Sequence, residues 1–230
     1  MNPLSPSPGK SGPAFPVNCL LFASGVAMGL LVLRILCTDR FQHLNLAWNL
    51  FLAWIPLLLA LKLDFLFQCG RTRHWKFYAA AFGWLVFFPN APYIVTDLVH
   101  LKRGPAGLFW ADLVLIFLFA LIGLGVGFLS LHLVHGMAAR VWNRTVGWVF
   151  VFAATCLSGL GMYIGRFRRW NTWDIFLNPF DLLRDLARWL SHPASLIYSA
   201  LFAGFLFLAY LMFHAFTHLN PIQPHNNAKK

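Results

Sequence analysis

The run LFWADLVLIFLFALIGLGVGFLSLHLV, Leu108–Val134, decides the architecture. It carries one charge, Asp112, close to its start. About 20 apolar residues, rising about 1.5 Å each along a helix, cross a hydrocarbon core about 30 Å thick. Five further runs have the same character: Val17–Leu36, Leu44–Leu61, Phe77–Leu98, Thr145–Gly165 and Ala194–His214. All are continuous rather than alternating, so they read as helices and not as barrel strands.

Composition agrees. Of 230 residues, 59% are hydrophobic and 11% are charged, and mean hydropathy is +0.65. A soluble domain carries roughly 25% charged residues, so a soluble enzyme, a disordered chain and a secreted disulfide scaffold are excluded. The expected fold is an all-α polytopic membrane bundle of about six transmembrane helices plus one short amphipathic surface helix. Residues 17–216 form a single membrane domain between disordered tails, 1–16 and 217–230.

Formal net charge is +11, and all seven acids are Asp. The basic residues are scattered between apolar runs, a pattern of topology and lipid contact. The expected partner is therefore the lipid bilayer and not nucleic acid, and a homo-oligomer or membrane partner is left open. With six crossings, nine Lys and Arg fall on each side, and the positive-inside rule sets no orientation. A re-entrant third segment would give a 12 to 6 split, but that segment is long enough to span. Cys19, Cys37, Cys69 and Cys156 lie in or beside apolar runs without a C-x-x-C pair, as buried reduced thiols do. Trp75, Trp110, Trp142, Trp148, Trp170, Trp173 and Trp189 fall near segment ends, where aromatic belts form. Gly25/Gly29, Gly123/Gly127 and Gly161/Gly165 are G-x-x-x-G pairs that let helices approach.

The stretch WLVFFPNAPYIVTDLVHL, Trp84–Leu101, holds the most chemistry. Pro89 and Pro92 lack an N–H, and their rings displace the carbonyls four residues back, those of Leu85 and Phe88. Unpaired carbonyls in lipid cost several kcal/mol each, on the order of a lost buried hydrogen bond. The break therefore faces protein or a wet cavity, with Asn90 as the nearest donor. Beyond it, Tyr93, Asp97 and His100, with Thr96 beside them, share one face of a resumed helix. The plain alternative is a packing kink followed by interfacial polar residues.

Antiparallel geometry brings Asp112 to the membrane face of Asp97 and His100, where it also suits a helix N-terminus. The end of the fifth segment, GRFRRWNTWD, returns to the same face. Arg166, Arg169, Asn171 and Asp174 are therefore candidates to meet Asp97, His100 and Asp112. An Arg there pairs a carboxylate, clamps an anionic head group or anchors to lipid phosphate. Asp97, His100 and Asp112 are candidate metal ligands. His132 and His135 lie about 30 Å along the helix from Asp112 and belong at the opposite face. Arg34 is expected to snorkel. Between the fifth and sixth segments, NPFDLLRDLARWL reads as a surface helix capped by Asn178 and opened by Pro179. Leu183, Leu186 and Leu190 form its apolar face, and Asp181, Arg184, Asp185 and Arg188 its charged face.

FFPNAPYIVTDLVHL, WADL at Trp110–Leu113 and GRFRRWNTWDIF together resemble a bacterial membrane family known as domain of unknown function 1361. The likeness covers about Leu46 to Leu211. It implies a multi-pass protein of the bacterial inner membrane and supplies no activity, substrate or cofactor. The motif positions fall on Asn90, Pro92, Tyr93, Thr96, Asp97, His100, Asp112, Arg166, Trp170, Asn171 and Asp174.

The sequence leaves three function classes open. The polar cluster handles an ion or small solute, or acts enzymatically on a lipid or lipid-linked phosphate, or locks helix packing. It names no catalytic residue and no cofactor.

Overall fold

The computed structural model describes residues 14–41, 43–103, 106–170, 172, 174–190 and 192–218. Among them there is helix, turn and no strand. Six segments are long and apolar enough to cross a membrane: Ala14–Thr38, Leu44–Gln68, Trp75–Leu101, Phe109–Val141, Arg144–Arg168 and Pro193–Thr217. The protein is an all-α polytopic membrane bundle. Its first helix begins at Ala14, inside the expected tail, and residues 1–13 and 219–230 lie outside the described residues.

Four spans contain unbroken helices: α1 (Ala14–Thr38), α2 (Leu44–Gln68), α5 (Phe109–Val141) and α9 (Pro193–Thr217). The third span is broken. It runs as α3 (Trp75–Phe87), a single turn α4 (Asn90–Tyr93) and a 3-10 segment, Ile94–Arg103. The fifth is α6 (Arg144–Tyr163), which ends in a π turn, Ile164–Arg168. The short α7 (Asp174–Leu177) and the amphipathic α8 (Pro179–Leu190) lead back into α9.

Helix α5 is apolar all round, and such a helix belongs in the interior. It packs against α1, α2, α4, α6 and the 3-10 segment, while α6 pairs with α9 and α3 lies along α2. One core gathers Leu31, Leu46, Leu57, Ile94, Ile116 and Phe119, and a second gathers Trp84, Phe88, Leu131, Met162 and Tyr210. Lipid is as apolar as these side chains, so close packing and buried hydrogen bonds hold the helices together. The Trp84 indole N–H donates to Ser130 Oγ at 2.6 Å.

Two of the three glycine pairs serve the broken span. A Cβ on Gly123 would stand 2.6 Å from the Ala91 carbonyl oxygen, and one on Gly161 would stand 2.9 Å from Pro89 Cβ. Glycine is what lets α5 and α6 close on the break. Gly25 and Gly29 have nothing within 4 Å of such a Cβ and are exposed.

The break satisfies itself in a way that differs from the sequence reading. Ala91 N–H turns back to the Phe88 carbonyl at 3.2 Å, which frees the Phe87 carbonyl. Asn90 Nδ2 donates to that carbonyl at 3.0 Å, rather than to Leu85 or Phe88. Tyr93 N–H bonds the Pro89 carbonyl at 3.1 Å.

Candidate functional site

Past the break the chain tightens instead of resuming an α-helix. Thr96 Oγ1 donates to the Tyr93 carbonyl three residues back, at 2.7 Å. In a 3-10 helix residues three apart eclipse, which stacks Ile94, Asp97 and His100 in one line. Ile94 is fully buried in the core and holds that line inward. Asp97 is buried with it. Asn49 Nδ2 on α2 donates to Asp97 Oδ2 at 2.6 Å.

Arg166 arrives from the π turn. Its Nη1 donates to Asp97 Oδ1 at 3.3 Å. The same guanidinium lies against His100 Nε2, with Nη1 at 3.3 Å and Nη2 at 3.2 Å. A guanidinium only donates, so Nε2 serves as the acceptor in these contacts. His100 Nε2 is 3.6 Å from Asp97 Oδ1. Side-chain exposure rises from 2% at Asp97 through 16% at Arg166 to 27% at His100. The carboxylate is thus shut away, and donor-bearing groups form the open edge.

Further bonds join the same two spans. Asn90 Nδ2 donates to Thr172 Oγ1 at 2.9 Å, and that hydroxyl lies 3.1 Å from Asn90 Oδ1. Tyr93 Oη donates to the Gly165 carbonyl at 3.5 Å, where the ring would crowd any Cβ on Gly165.

Asp112 has partners of its own, which corrects the expectation that it joins Asp97. Arg34 Nε meets Oδ1 at 2.9 Å and Nη2 meets Oδ2 at 3.1 Å, a bidentate pair in which both residues are buried. Nη1 of Arg34 reaches Thr38 Oγ1 at 3.1 Å and the Arg40 carbonyl at 3.2 Å. His43 Nε2 lies 3.2 Å from Asp112 Oδ2. Arg34 therefore does not snorkel, because the buried carboxylate on the adjacent helix α5 holds its head group inside.

Arg169 ends the π turn with φ of 60° and is exposed. Asp174 opens α7 and is half-buried. Asn171 and Trp173 lie outside the described residues. Among the described residues, no three His, Cys, Asp or Glu side chains are arranged to hold a metal ion.

Of the charged residues of α8, Asp185 is partly buried, whereas Asp181, Arg184 and Arg188 are exposed. Asp185 accepts from Trp170 Nε1 at 2.9 Å and from Arg168 Nη2 at 2.8 Å. The Trp170 N–H, then Arg168, hold its carboxyl below the usual carboxylate range. Phe180 and Leu183 are left exposed, as they would be in a helix lying at the acyl boundary.

At the other end of the bundle, His132 and His135 on α5 meet His214 on α9. Ring centroids are 5.7 Å apart for His132 and His214, and 5.3 Å for His135 and His214. His218, just past α9, lies 4.2 Å from His214. His135 Nδ1 bonds Tyr210 Oη at 2.9 Å.

Residues 48–220 match a family model described as "Protein of unknown function (DUF1361)". The chain belongs to this family. No curated protein and no solved structure matches it. The family region contains Asn49, Asp97, His100, Asp112 and Arg166, whereas Arg34 and His43 precede it.

Sequence reasoning missed Asn49, Arg34, His43 and Thr172. Asn49 did carry a signal, as a lone amide in the apolar run LAWNLFLAW. A polar group there needs a buried partner.

Proposed function

We propose that this membrane protein binds an anionic group at one membrane face through Arg166 and exchanges a proton with it through His100. One observation carries the reading. Asp97 and His100 sit on a 3-10 segment and Arg166 sits on a π turn, and the three converge. Both helix types are uncommon at such length and position, and both concentrate at functional sites. Asp97 orients the guanidinium, and Asn49 holds Asp97. The imidazole is the side chain that changes protonation near neutrality.

The donor-rich open edge favours an anion over a cation. Cation passage along the break is disfavoured, because Gly123 and Gly161 close on it and both Asp97 oxygens already accept hydrogen bonds. A site open at one face suits chemistry on a head group or solute more than passage across the bilayer.

Calorimetric titration of the purified protein with inorganic phosphate, in two buffers of different ionisation heat, tests the proposal. Binding accompanied by proton exchange is expected, with the exchange lost in His100→Gln and the affinity lost in Arg166→Gln. Absence of binding to the wild type, or equal binding by Arg166→Gln, sinks the proposal.

A second reading has its own support. Asn90 with Thr172, Tyr93 with Gly165 and Asp97 with Arg166 all tie the third span to the end of the fifth. In that reading the cluster is a lock, and its variants lower thermal stability with no ligand effect.

A further inference from the structure

A polar cleft of about 210 Å³ lies where α6, α8 and the start of α9 meet, on the same membrane face as Asp97. Tyr163, Arg168, Asp185, Arg188, His192 and Ser195 line it. It shares no residue with the Asp97, His100 and Arg166 centre and stands independently of the reading given for that centre.

The cleft is positively charged. Its one carboxylate, Asp185, has both oxygens engaged, by Trp170 and Arg168. Arg188 Nη1 makes a long, 3.7 Å ion pair with Asp185, and its side chain is mostly exposed, so its other guanidinium nitrogens face the cleft's open side. His192 is exposed beside it. Tyr163 Oη and Ser195 Oγ, hydrogen-bonded to each other at 2.8 Å, complete the lining. Guanidinium, imidazole and hydroxyl donors around one space are the chemistry that receives phosphate oxygens. The volume equals about seven waters at ~30 Å³ each, enough for a phosphate on a short polar stem.

An apolar track runs beside the cleft. Tyr163 stacks on Phe167 at 4.9 Å, and Phe167 stacks on Tyr198 at 5.4 Å. Phe167 and Tyr198 are exposed, as are Phe180 and Leu183 of α8. Polar cleft and aromatic track together fit an amphiphile. A free phosphate would use only the first.

We propose that this cleft binds the phosphate head group of a membrane lipid, with Arg168 and Arg188 on the phosphate and the lipid chains along Phe167 and Tyr198. Phosphatidic acid is the probe, because its phosphomonoester offers the most oxygens.

The experiment is native mass spectrometry of the full-length protein released from phosphatidylcholine vesicles with and without phosphatidic acid. A retained phosphatidic acid adduct is expected. Arg188→Gln should lower its occupancy about tenfold, the loss of one charge-assisted contact. That variant removes only the long, exposed Arg188–Asp185 pair and leaves the Arg168 and Trp170 bonds to Asp185 in place, so its melting temperature should hardly move. Phe167→Ser should weaken the lipid adduct without touching a phosphate contact. Equal retention of phosphatidylcholine and phosphatidic acid overturns the proposal. So does an Arg188→Gln variant that keeps its adduct. Displacement of the lipid by millimolar inorganic phosphate, with Phe167→Ser unchanged, overturns the lipid assignment in favour of free phosphate.

Discussion

Arg34, near the end of α1, and Asp112, in the first turn of α5, form a bidentate ion pair buried inside the bundle. Both oxygens of the carboxylate are used, and the remaining guanidinium nitrogen is bonded to Thr38 and Arg40. Breaking such a pair from one side leaves a lone buried charge, at a cost of about 3–5 kcal/mol. Arg34→Gln should therefore lower thermal stability sharply in detergent, as should Asp112→Ala. The double variant Arg34→Met with Asp112→Leu should recover most of the loss, since a buried pair is often replaceable by apolar side chains of similar volume. Equal melting of single and double variants would refute the pairing argument.

The two glycine contacts at the break should be intolerant. Gly123→Ala places a methyl 2.6 Å from the Ala91 carbonyl oxygen, and that backbone cannot swing aside. A loss of about 1–3 kcal/mol is expected, the usual cost of overpacking. Gly25→Ala, which meets nothing within 4 Å, should be neutral. A melting series across the two positions checks both.

Acid should loosen α8 through Asp185. Its folded pKa lies below the ordinary Asp value of about 3.9, first because of the Trp170 N–H and then because of Arg168. The stabilisation from this group is complete above the ordinary value and is lost as pH falls through the depressed one. Amide exchange in residues 179–190 should be independent of this group from neutrality down to about pH 5, and should quicken below about pH 4. Asp185→Asn should quicken exchange at neutrality and flatten the acid transition. Unchanged exchange in that variant would show that Asp185 does not dock the helix.

Six crossings put Cys69 and Gly107 on opposite sides of the membrane. A re-entrant third segment would put them on one side. Both positions are exposed, and a side chain at Gly107 meets nothing within 4 Å. In oriented vesicles with Cys19, Cys37 and Cys156 replaced by Ser, an impermeant maleimide should label either Cys69 or an introduced cysteine in Gly107→Cys, but not both. Labelling of both would remove the six-span topology.

Much of the fold was legible because apolar runs of about 20 residues have a single solution in lipid. Each of the six expected segments corresponds to a span, and α8 starts at Pro179 as its capping signals imply. The break at PNAP was legible too, since proline removes a known donor. What followed the break was not. Nothing in IVTDLVHL favours a 3-10 segment over an α-helix, and the choice came from Thr96 bonding back to Tyr93 and from packing on α5. That choice stacked Asp97 and His100 but left Tyr93 on another line. Asp112 was grouped with Asp97, whereas its carboxylate pairs with Arg34. Antiparallel counting locates a membrane level and says nothing of azimuth around the bundle, and azimuth is what turned Asp112 toward α1.

The boundary of the family region cuts between Asp112 and Arg34, the guanidinium that neutralises it, and also leaves out His43 beside it. Trimming the chain to start at residue 48 would keep the acid and discard its counter-charge. The orphaned carboxyl would then have to take up a proton, admit water or recruit a cation from outside. A shortened protein that still inserts would thus report on a chemical environment the intact molecule never presents, and activity gained or lost in it would say little about the Asp97 centre.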